Sequence, residues 1–552
     1  MTILSMDRKE LEKKIGKIDG KMEKLITDMG TPIEYVTEDE VAIEVFPNRP
    51  DLLSLQNFAK AVMQYKGKEK VASYKINPPE KNYEVIIDKS VKGIRDYTVC
   101  CIVKGIKFDD EKIKEIIDIQ EKLHNSIGRK RKKLAIGVYP LEKITLPITF
   151  KAEDPNKIKF KPLEFPREIT GRQILSQHPT GREYGNLLKN FEKFPIFIDA
   201  KDNVLSMPPI INSDETGRIT DTTKEIFIEV SGNNIHYLKK ALAILVATLF
   251  EMGGRIYAMN IKDKKQGNSI SPDMTPEKML YEIKDINKNL GMEFTEKQIK
   301  NNLEKMGIET IKEKGKNVAL IPAYRTDILH PIDLVEEVAI VHGYENFEPI
   351  IPKFSTIAEE DKMSRIRKVI NNILFGLGLL EVSSFHLTTK KNIKKIYFEF
   401  NEAIEVEDSK TQNDTLRNDL LTNLMQIFSE NSDSQYPQKI YEIGKVFKLD
   451  KTNKAETGIE EKENLAIALV DEKITFTEIK QILDYLFKML GETYTLEEYD
   501  DHPAYIKGRC GKIIVNDKEI GYIGEIAPRV LKNWKIKVPA VALELDTEFL
   551  LE

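Results

Sequence analysis

The stretch Tyr324-Arg-Thr-Asp327-Ile-Leu-His-Pro331-Ile-Asp333-Leu-Val-Glu336-Glu337-Val338 gathers four carboxylates where one element gives way to the next. Upstream, Asn317-Val-Ala-Leu-Ile-Pro322 reads as a strand. Pro331 suits the first turn of a helix, where its missing N–H costs nothing. A helix from there places Asp333, Glu336 and Glu337 at i, i+3 and i+4 on one face. Leu334, Val338 and Val341 form a neighbouring stripe, so the acidic face borders the buried one. Asp327 can fold back over the same spot. Carboxylates ~5 Å apart repel by about 3 kcal/mol per pair at an effective dielectric near 20. A hard cation with oxygen ligands, Mg²⁺ by preference, would relieve that cost. On spacing alone a solvated acidic helix start, favoured by the helix dipole, stands beside that reading.

Around this stretch the chain divides into segments. Residues 1 to about 80 read as a small α+β unit. In it Val41-Ala-Ile-Glu-Val-Phe46 runs into the stiff turn Pro47-Asn48-Arg49-Pro50-Asp51, and a helix capped by Ser54 follows. Residues 84–262 are strand-rich. Tyr97-Thr-Val-Cys-Cys-Ile-Val103 is a buried strand, and the helix over 110–126 carries Ile113, Ile116, Ile117 and Leu123 on one stripe, with Gln120 and His124 beside them. Two polar groups on an inward face need partners or a ligand. Val204–Asn212 and Glu225–Val230 read as two strands joined by a hairpin-type connection. The polar stretch 262–276 reads as a linker, and a compact unit runs to about 352, where Thr295-Glu-Lys-Gln298 has capping-box form. The last 200 residues alternate helices and strands, with 450–464 charged and loop-like.

A chain of 552 residues calls for three or four domains. Hydrophobic content of 41% and charged content of 31% describe a soluble chain without a run of the ~20 apolar residues that spans a membrane. The first residues break into charge too early for a secretory signal. Three cysteines cannot build a disulfide framework, and adjacent Cys100 and Cys101 point to opposite faces of a strand, so a cytoplasmic setting without zinc is expected. The net charge of −5 neither demands nor excludes an RNA partner, which local patches could hold. The most basic run is Gly128-Arg-Lys-Arg-Lys-Lys133. No phosphate-binding Gly-x4-Gly-Lys loop, dinucleotide fingerprint, His-Glu-x-x-His, nucleophile elbow or kinase signature is found.

Four strings, in this order, converge on one family. Phe46-Pro-Asn-Arg-Pro-Asp-Leu-Leu-Ser54, the block from Tyr324 to Tyr344, Leu416-Arg-Asn-Asp-Leu-Leu421 and Tyr441-Glu-Ile-Gly-Lys-Val-Phe447 resemble the β subunit of phenylalanyl-tRNA synthetase. Gln120-Glu-Lys-Leu-His124 and Leu205-Ser-Met-Pro-Pro-Ile-Ile-Asn212 resemble its shorter, archaeal and eukaryotic-cytosolic form. The resemblance implies an α2β2 heterotetramer that charges tRNA(Phe) with phenylalanine, with ATP bound in the α subunit and no catalytic residue for adenylation in this chain. It implies a multidomain α+β fold. An N-terminal α+β domain covers 1–82 and a mixed α/β editing domain 84–262. A winged-helix-like, metal-bearing domain covers 268–352, and an inactive class II synthetase-like antiparallel sheet with helices covers 356–552. Neither the tRNA-binding barrel inserted before residue 90 in the long bacterial form nor an anticodon-binding domain after residue 500 is expected.

Asp327, Asp333, Glu336 and Glu337 coincide with the family's magnesium ligands. The resemblance also implies hydrolysis of mischarged Tyr-tRNA(Phe), and the need is physical. Tyrosine is phenylalanine plus a hydroxyl, which an apolar pocket rejects only by roughly 10²-fold. Editing-pocket candidates are Gln120, His124, Arg129, Arg131, Asn212, Glu215 and Thr222. Glu215 is the candidate reader of the tyrosine hydroxyl, and Arg129 and Arg131 are candidates for the 3′ end of the tRNA. Asn48, Arg49 and Asp51 read as pins of an interdomain turn. A stand-alone trans-editing protein and a nucleic-acid-binding scaffold are the competing readings.

Overall fold

Strands buried on both faces organise the first of two units, residues 1–350, of the computed structural model, which describes residues 2–263, 267–353, 355–398, 402–452 and 455–551. Tyr97–Lys104 and Glu225–Gly232 pair antiparallel along their full length, from Tyr97 opposite Gly232 to Lys104 opposite Glu225. Leu134–Pro140 flanks Glu225–Gly232 on the other side, while Arg255–Tyr257 and Ile76–Asn77 extend the opposite edge of this five-stranded sheet. A sheet apolar on both faces must be covered on both. Helix Ile235–Glu251, apolar nearly all round, covers one face. Against the other face packs a seven-stranded sheet, where Cys100, Ile102, Tyr139 and Phe227 meet Val85, Ile148, Phe150 and Leu205.

Two sequence expectations change here. Val204–Met207 and Ile211–Asn212 belong to the seven-stranded sheet, whereas Glu225–Gly232 is central in the five-stranded one, so they are not a hairpin. The reason is pairing: both edges of Glu225–Gly232 are hydrogen-bonded, to Tyr97–Lys104 and to Leu134–Pro140, so no edge is left for Val204–Asn212. The stretch read as a linker contributes strands Met259–Asp263 and Ser269–Ser271, which pair with each other; its residues 264–266 lie outside the described ones. Ser271 and Pro272 are buried there, a signal too sparse for the polar composition to reveal.

The first residues form a three-stranded antiparallel sheet with Glu40–Val45 between Thr2–Asp7 and Ile33–Val36. Ser54 caps helix Leu55–Tyr65 by accepting from Asn57 N–H. One apolar core runs from Leu4 through Phe58 to Ile256. Towards residue 350 a second three-stranded sheet, Glu277–Tyr281, Lys316–Ile321 and Glu309–Glu313, packs with helices Ile283–Leu290, Glu296–Lys305 and Pro331–His342. Thr295 and Gln298 form the expected capping box.

The second unit, residues 351–552, holds a seven-stranded sheet, antiparallel except for the short edge strand Leu380–Glu381. Helices Lys362–Gly376 and Phe476–Leu490 cover one face; Lys390–Tyr397, Leu421–Glu430 and Pro528–Trp534 cover the other. The stretch 450–464, expected as loop, is loop only to residue 458 among its described residues. Ile459–Val470 is a strand, held by pairing along its length with Gln438–Leu449. Among the described residues no helix is long and apolar enough to cross a membrane.

Candidate functional site

Two cavities of the first unit collect the residues singled out by sequence. The acidic one, of about 790 Å³, is lined by Asp327, Asp333, Glu336 and Glu337 together with Asn48 and Arg49. Helix Pro331–His342 begins where Pro331 placed it. Asp333 Oδ2 accepts from the N–H groups of Leu329 and His330, both at 2.7 Å, and so closes the helix start. Arg325, fully buried, donates to Asp327 through two bonds of 2.9 and 2.8 Å and to Glu337 Oε1 at 2.8 Å. Burial works against ionisation of Asp327, but the charge and bonds of Arg325, with Arg49 beyond, hold its carboxyl below the usual range.

A guanidinium therefore supplies the positive charge that the acidic spacing calls for. Among the described residues no three His, Cys, Asp or Glu side chains stand as a ready metal cage. Two features still fit a hard cation. The donor set is all carboxylate, and Glu337 Oε2 is buried with no hydrogen-bond partner. Arg49 repeats the Arg325 arrangement, gripping Asp51 at 3.0 and 2.9 Å. Thr326 Oγ1 donates to Asn48 O at 3.1 Å, so the turn at 47–51 is pinned to the stretch before the acidic helix.

The second cavity, of about 560 Å³, lies beside helix Asp110–Asn125. Gln120, His124, Arg131 and Asn212 line it, with Ile113, Ile116 and Ile117 as apolar wall. Ile117 is 55% exposed, because the stripe that carries it faces this opening and not a closed core. Gln120 Nε2 donates to Ile136 O at 2.8 Å, and Ile136 N–H donates to His124 Nε2 at 2.8 Å. The two polar residues of the stripe thus clamp one residue of strand Leu134–Pro140. Because Nε2 accepts, Nδ1 carries the proton and donates to Glu121 Oε1 at 3.1 Å. Burial pushes the His124 pKa down, so the ring is neutral. Burial also opposes charge on Glu121, but the His124 bond and the Arg131 guanidinium hold its carboxyl well below the usual range.

The basic run makes an unusual turn. Arg129, Lys130 and Arg131 take φ of 46°, 53° and 63°, three successive left-handed residues without a glycine, at a cost of order 1–3 kcal/mol each. Arg131 repays it: Nη2 donates to Glu121 at 2.7 Å, Nη1 to Ile210 O at 2.8 Å, and the guanidinium lies 4.7 Å over the Tyr184 ring. Arg129 points out of the turn into solvent and is not part of the lining. Glu215, on the short helix Asp214–Gly217, and Thr222, bonded to Thr220 Oγ1 at 2.8 Å, are exposed and stand outside the lining as well.

Sequence reasoning missed the floor of this cavity, Glu229 and Ser206. Glu229 stands in the middle of strand Glu225–Gly232, 2% exposed. Tyr139 O–H donates to Ser206 Oγ at 2.8 Å and lies 3.3 Å from Glu229 Oε1. Arg95, also buried, donates to Ser231 Oγ and Ser231 O. Burial pushes the Glu229 carboxyl up to about 8 against the pull of Arg95, so at neutral pH it is largely protonated. Gly137 sits opposite Glu229, and a Cβ there would overlap the Tyr139 hydroxyl and reach 2.7 Å from Glu229 Oε1. The available signal was a single charge inside Ile-Phe-Ile-Glu-Val, an otherwise apolar strand. Two buried polar atoms on lining residues lack partners: the acceptor or donor Glu229 Oε2 and the donor Arg131 Nε.

The family model "Phenylalanyl tRNA synthetase beta chain CLM domain" matches residues 348–547, and the model "tRNA synthetase B5 domain" matches residues 279–344. The phenylalanine–tRNA ligase β subunit of Pyrococcus horikoshii is 40% identical over 501 residues, covering 90% of this chain and 89% of that protein. The β subunit of Archaeoglobus fulgidus is 34% identical over 552 residues, with 99% and 98% covered. A crystal structure of an N-terminal fragment of the phenylalanyl-tRNA synthetase β-subunit from Pyrococcus horikoshii superposes with a TM-score of 0.59 at 35% identity, covering 62% of this chain and 99% of the fragment. The chain therefore belongs to the family of phenylalanine–tRNA ligase β subunits, the aminoacyl-tRNA synthetases of protein biosynthesis classed as EC 6.1.1.20.

Proposed function

We propose that this chain is the non-adenylating subunit of an α2β2 phenylalanyl-tRNA synthetase of the cytoplasm, and that it hydrolyses Tyr-tRNA(Phe) in the cavity floored by Glu229. The observation that carries the editing role is the pair of partnerless buried atoms, Glu229 Oε2 and Arg131 Nε, on an otherwise largely satisfied wall. A buried polar atom without a partner costs about 1–3 kcal/mol, which a bound polar ligand returns. A largely neutral carboxyl in an apolar setting can both donate to and accept from a phenol O–H. Phenylalanine would leave it unpaired, so the floor favours the wrong amino acid over the right one. Glu229 takes this role in place of Glu215. Gln120 and His124 hold the wall to strand Leu134–Pro140, Asn212 lines it, and Arg131 with exposed Arg129 faces the incoming 3′ end.

Magnesium would be held by Asp327, Asp333, Glu336 and Glu337. Bound there, it would supply the positive charge that the unpartnered Glu337 Oε2 lacks. Adenylation belongs to the α subunit, which binds ATP. In this chain Arg417, a candidate phosphate binder by type, is 1% exposed and engaged within the fold. It donates to Glu442 Oε1 at 2.7 Å, to Lys445 O at 2.7 Å and to Ser384 Oγ at 2.9 Å. That internal use supports the reading of 356–552 as an inactive class II-like domain; 268–352 is taken as winged-helix-like and 84–262 as the editing domain.

The test is co-expression with the α subunit. The pair should support phenylalanine-dependent pyrophosphate exchange and clear Tyr-tRNA(Phe); this chain alone should show no exchange. Adenylate formation by the isolated chain would overturn the assignment, and unchanged Tyr-tRNA(Phe) hydrolysis by Glu229→Gln would overturn the editing site.

A further inference from the structure

One face of the second unit carries a charge that the acidic whole does not predict. Helix Lys390–Tyr397 holds Lys390, Lys391, Lys394 and Lys395, and the segment 528–538 holds Arg529, Lys532, Lys535 and Lys537. Neither stretch contains an aspartate or glutamate, in a chain whose net charge is −5. The fold packs the two together. Asn533 Nδ2 donates to Lys395 O at 3.0 Å, and Lys395 Nζ lies 3.6 Å from the centroid of the Trp534 ring. Arg529 stacks 4.6 Å over Phe398 and donates to Pro503 O at 2.9 Å. Lys390 pairs with Glu405; among the described residues the other seven cations make no ion pair. Lys391, Lys394, Arg529, Lys532, Lys535 and Lys537 are exposed. Burial, then the charges of Lys391 and Lys535, push the Lys395 ammonium below its usual range, against the pull of Glu430.

Like charges assembled with few counter-ions cost folding free energy, so a fold that keeps seven of them without an ion pair on two packed elements has a polyanion to gain. We infer that the face built from Lys390–Tyr397 and 528–538 binds the phosphate backbone of RNA. This rests on the reading of the chain as a tRNA ligase subunit and names a contact surface outside both cavities. Lysine outnumbers arginine seven to one, which suits point-charge contact with phosphates and not bidentate reading of bases. Lysine is also depleted at protein–protein interfaces, so an acidic protein partner is the weaker fit. The two cation–ring contacts fix the frame, and Phe398, 43% exposed, offers aromatic surface to an unpaired base.

The experiment uses the complex with the α subunit and a tRNA(Phe) transcript, with anisotropy binding curves from about 50 to about 200 mM KCl. Neutralising Lys391, Lys394, Lys532 and Lys535 to Gln should weaken binding about tenfold or more at the low-salt end. It should also lower the slope of log affinity against log salt by about 3, at ~0.7–0.9 per phosphate contact. Lys391→Gln with Lys394→Gln alone should take about half of that slope. A control with exposed Lys410, Lys448, Lys473 and Lys488 changed to Gln removes the same charge elsewhere and should leave the slope near wild type. Wild-type slope and affinity in the fourfold variant overturn the inference while leaving the ligase reading intact. Loss of the α subunit with tRNA affinity retained would make the face a protein interface and overturn it too. A wild-type complex that neither binds nor charges tRNA(Phe) refutes the ligase reading, and this inference with it.

Discussion

Arg325 grips Asp327 through two parallel N–H···O bonds of 2.9 and 2.8 Å, and a second copy of the same Arg-x-Asp fork, Arg49 with Asp51, stands beside it. The two forks meet where Arg49 Nε lies 3.9 Å from Asp327 Oδ2. Two guanidinium groups thus face Asp51, Asp327 and Glu337, all nearly excluded from water. Such a cluster is weak evidence of net stability, since desolvation offsets most of the attraction. Its strength lies in specifying which turn meets which helix.

Removing one partner from this cluster leaves buried charge uncompensated. Arg325→Met should therefore cost about 3–5 kcal/mol in urea unfolding. Arg325→Lys should recover little of it, because an ammonium cannot serve two carboxylates in a planar fork. A loss below ~1 kcal/mol would show that Arg49 alone balances the cluster.

Magnesium should raise the thermal midpoint of the wild-type chain, by a free energy of about 2.7 kcal/mol when its concentration is about 100 times Kd. Glu336→Gln is the clean probe, since Glu336 is exposed and lines the acidic cavity without closing the helix or pairing with Arg325. The variant should keep its stability in chelator and lose most of the magnesium-induced shift. An undiminished shift would move the ion away from this helix.

Glu229 gives the stability an opposite pH slope from that of a salt-bridged acid. Its folded-state value, about 8, lies above the ordinary 4.5, so between those values the folded chain keeps a proton that the unfolded chain releases. Stability contributed by this site is complete below about pH 4.5 and falls as pH rises towards 8, by at most about 1.4 kcal/mol per pH unit. Glu229→Gln removes that slope. The variant should gain on wild type by a few kcal/mol between pH 5 and pH 8, read as the difference of two urea series. A difference independent of pH would mean that Glu229 is ionised in the folded state.

These sites differ in how much of them shows in the chain alone. Pro331 and Asp333 fix the helix start locally, so the convergence of Asp333, Glu336 and Glu337 was legible from helical spacing. Arg325 was not, because an arginine two residues before an aspartate looks like any surface turn until tertiary packing buries it. Gln120 and His124 followed from the helical period, and the structure places both on the cavity wall. Arg129 and Thr222 lie in turns and Glu215 on a single helical turn, too short for a period to set the direction of a side chain, and the left-handed residues 129–131 turn Arg129 outward. Glu229 lies on a strand whose alternation is hidden by burial on both faces, leaving its charge as the sole clue.

Gly137 offers the sharpest test of the floor because it touches no ligand atom by itself. It faces Glu229 across the strand pair, and its missing side chain is the space that the Tyr139 hydroxyl and Glu229 Oε1 occupy. Gly137→Ala would drive that hydroxyl away from Ser206 and Glu229, at an overpacking cost of about 1–3 kcal/mol. Phenylalanine charging by the complex should stay within about twofold, since the proposed reading puts adenylation in the α subunit, while Tyr-tRNA(Phe) hydrolysis should fall at least about tenfold, the factor that corresponds to ~1.4 kcal/mol of lost transition-state contact. Gly137→Ala combined with Tyr139→Phe removes the displaced hydroxyl but leaves the ring carbon Cζ 2.6 Å from the added Cβ, so it should recover only part of the stability and none of the hydrolysis. If the double variant hydrolyses Tyr-tRNA(Phe) at the wild-type rate, the Tyr139–Glu229 pair does not read the substrate, and the hydroxyl is recognised from the Arg131 side of the cavity.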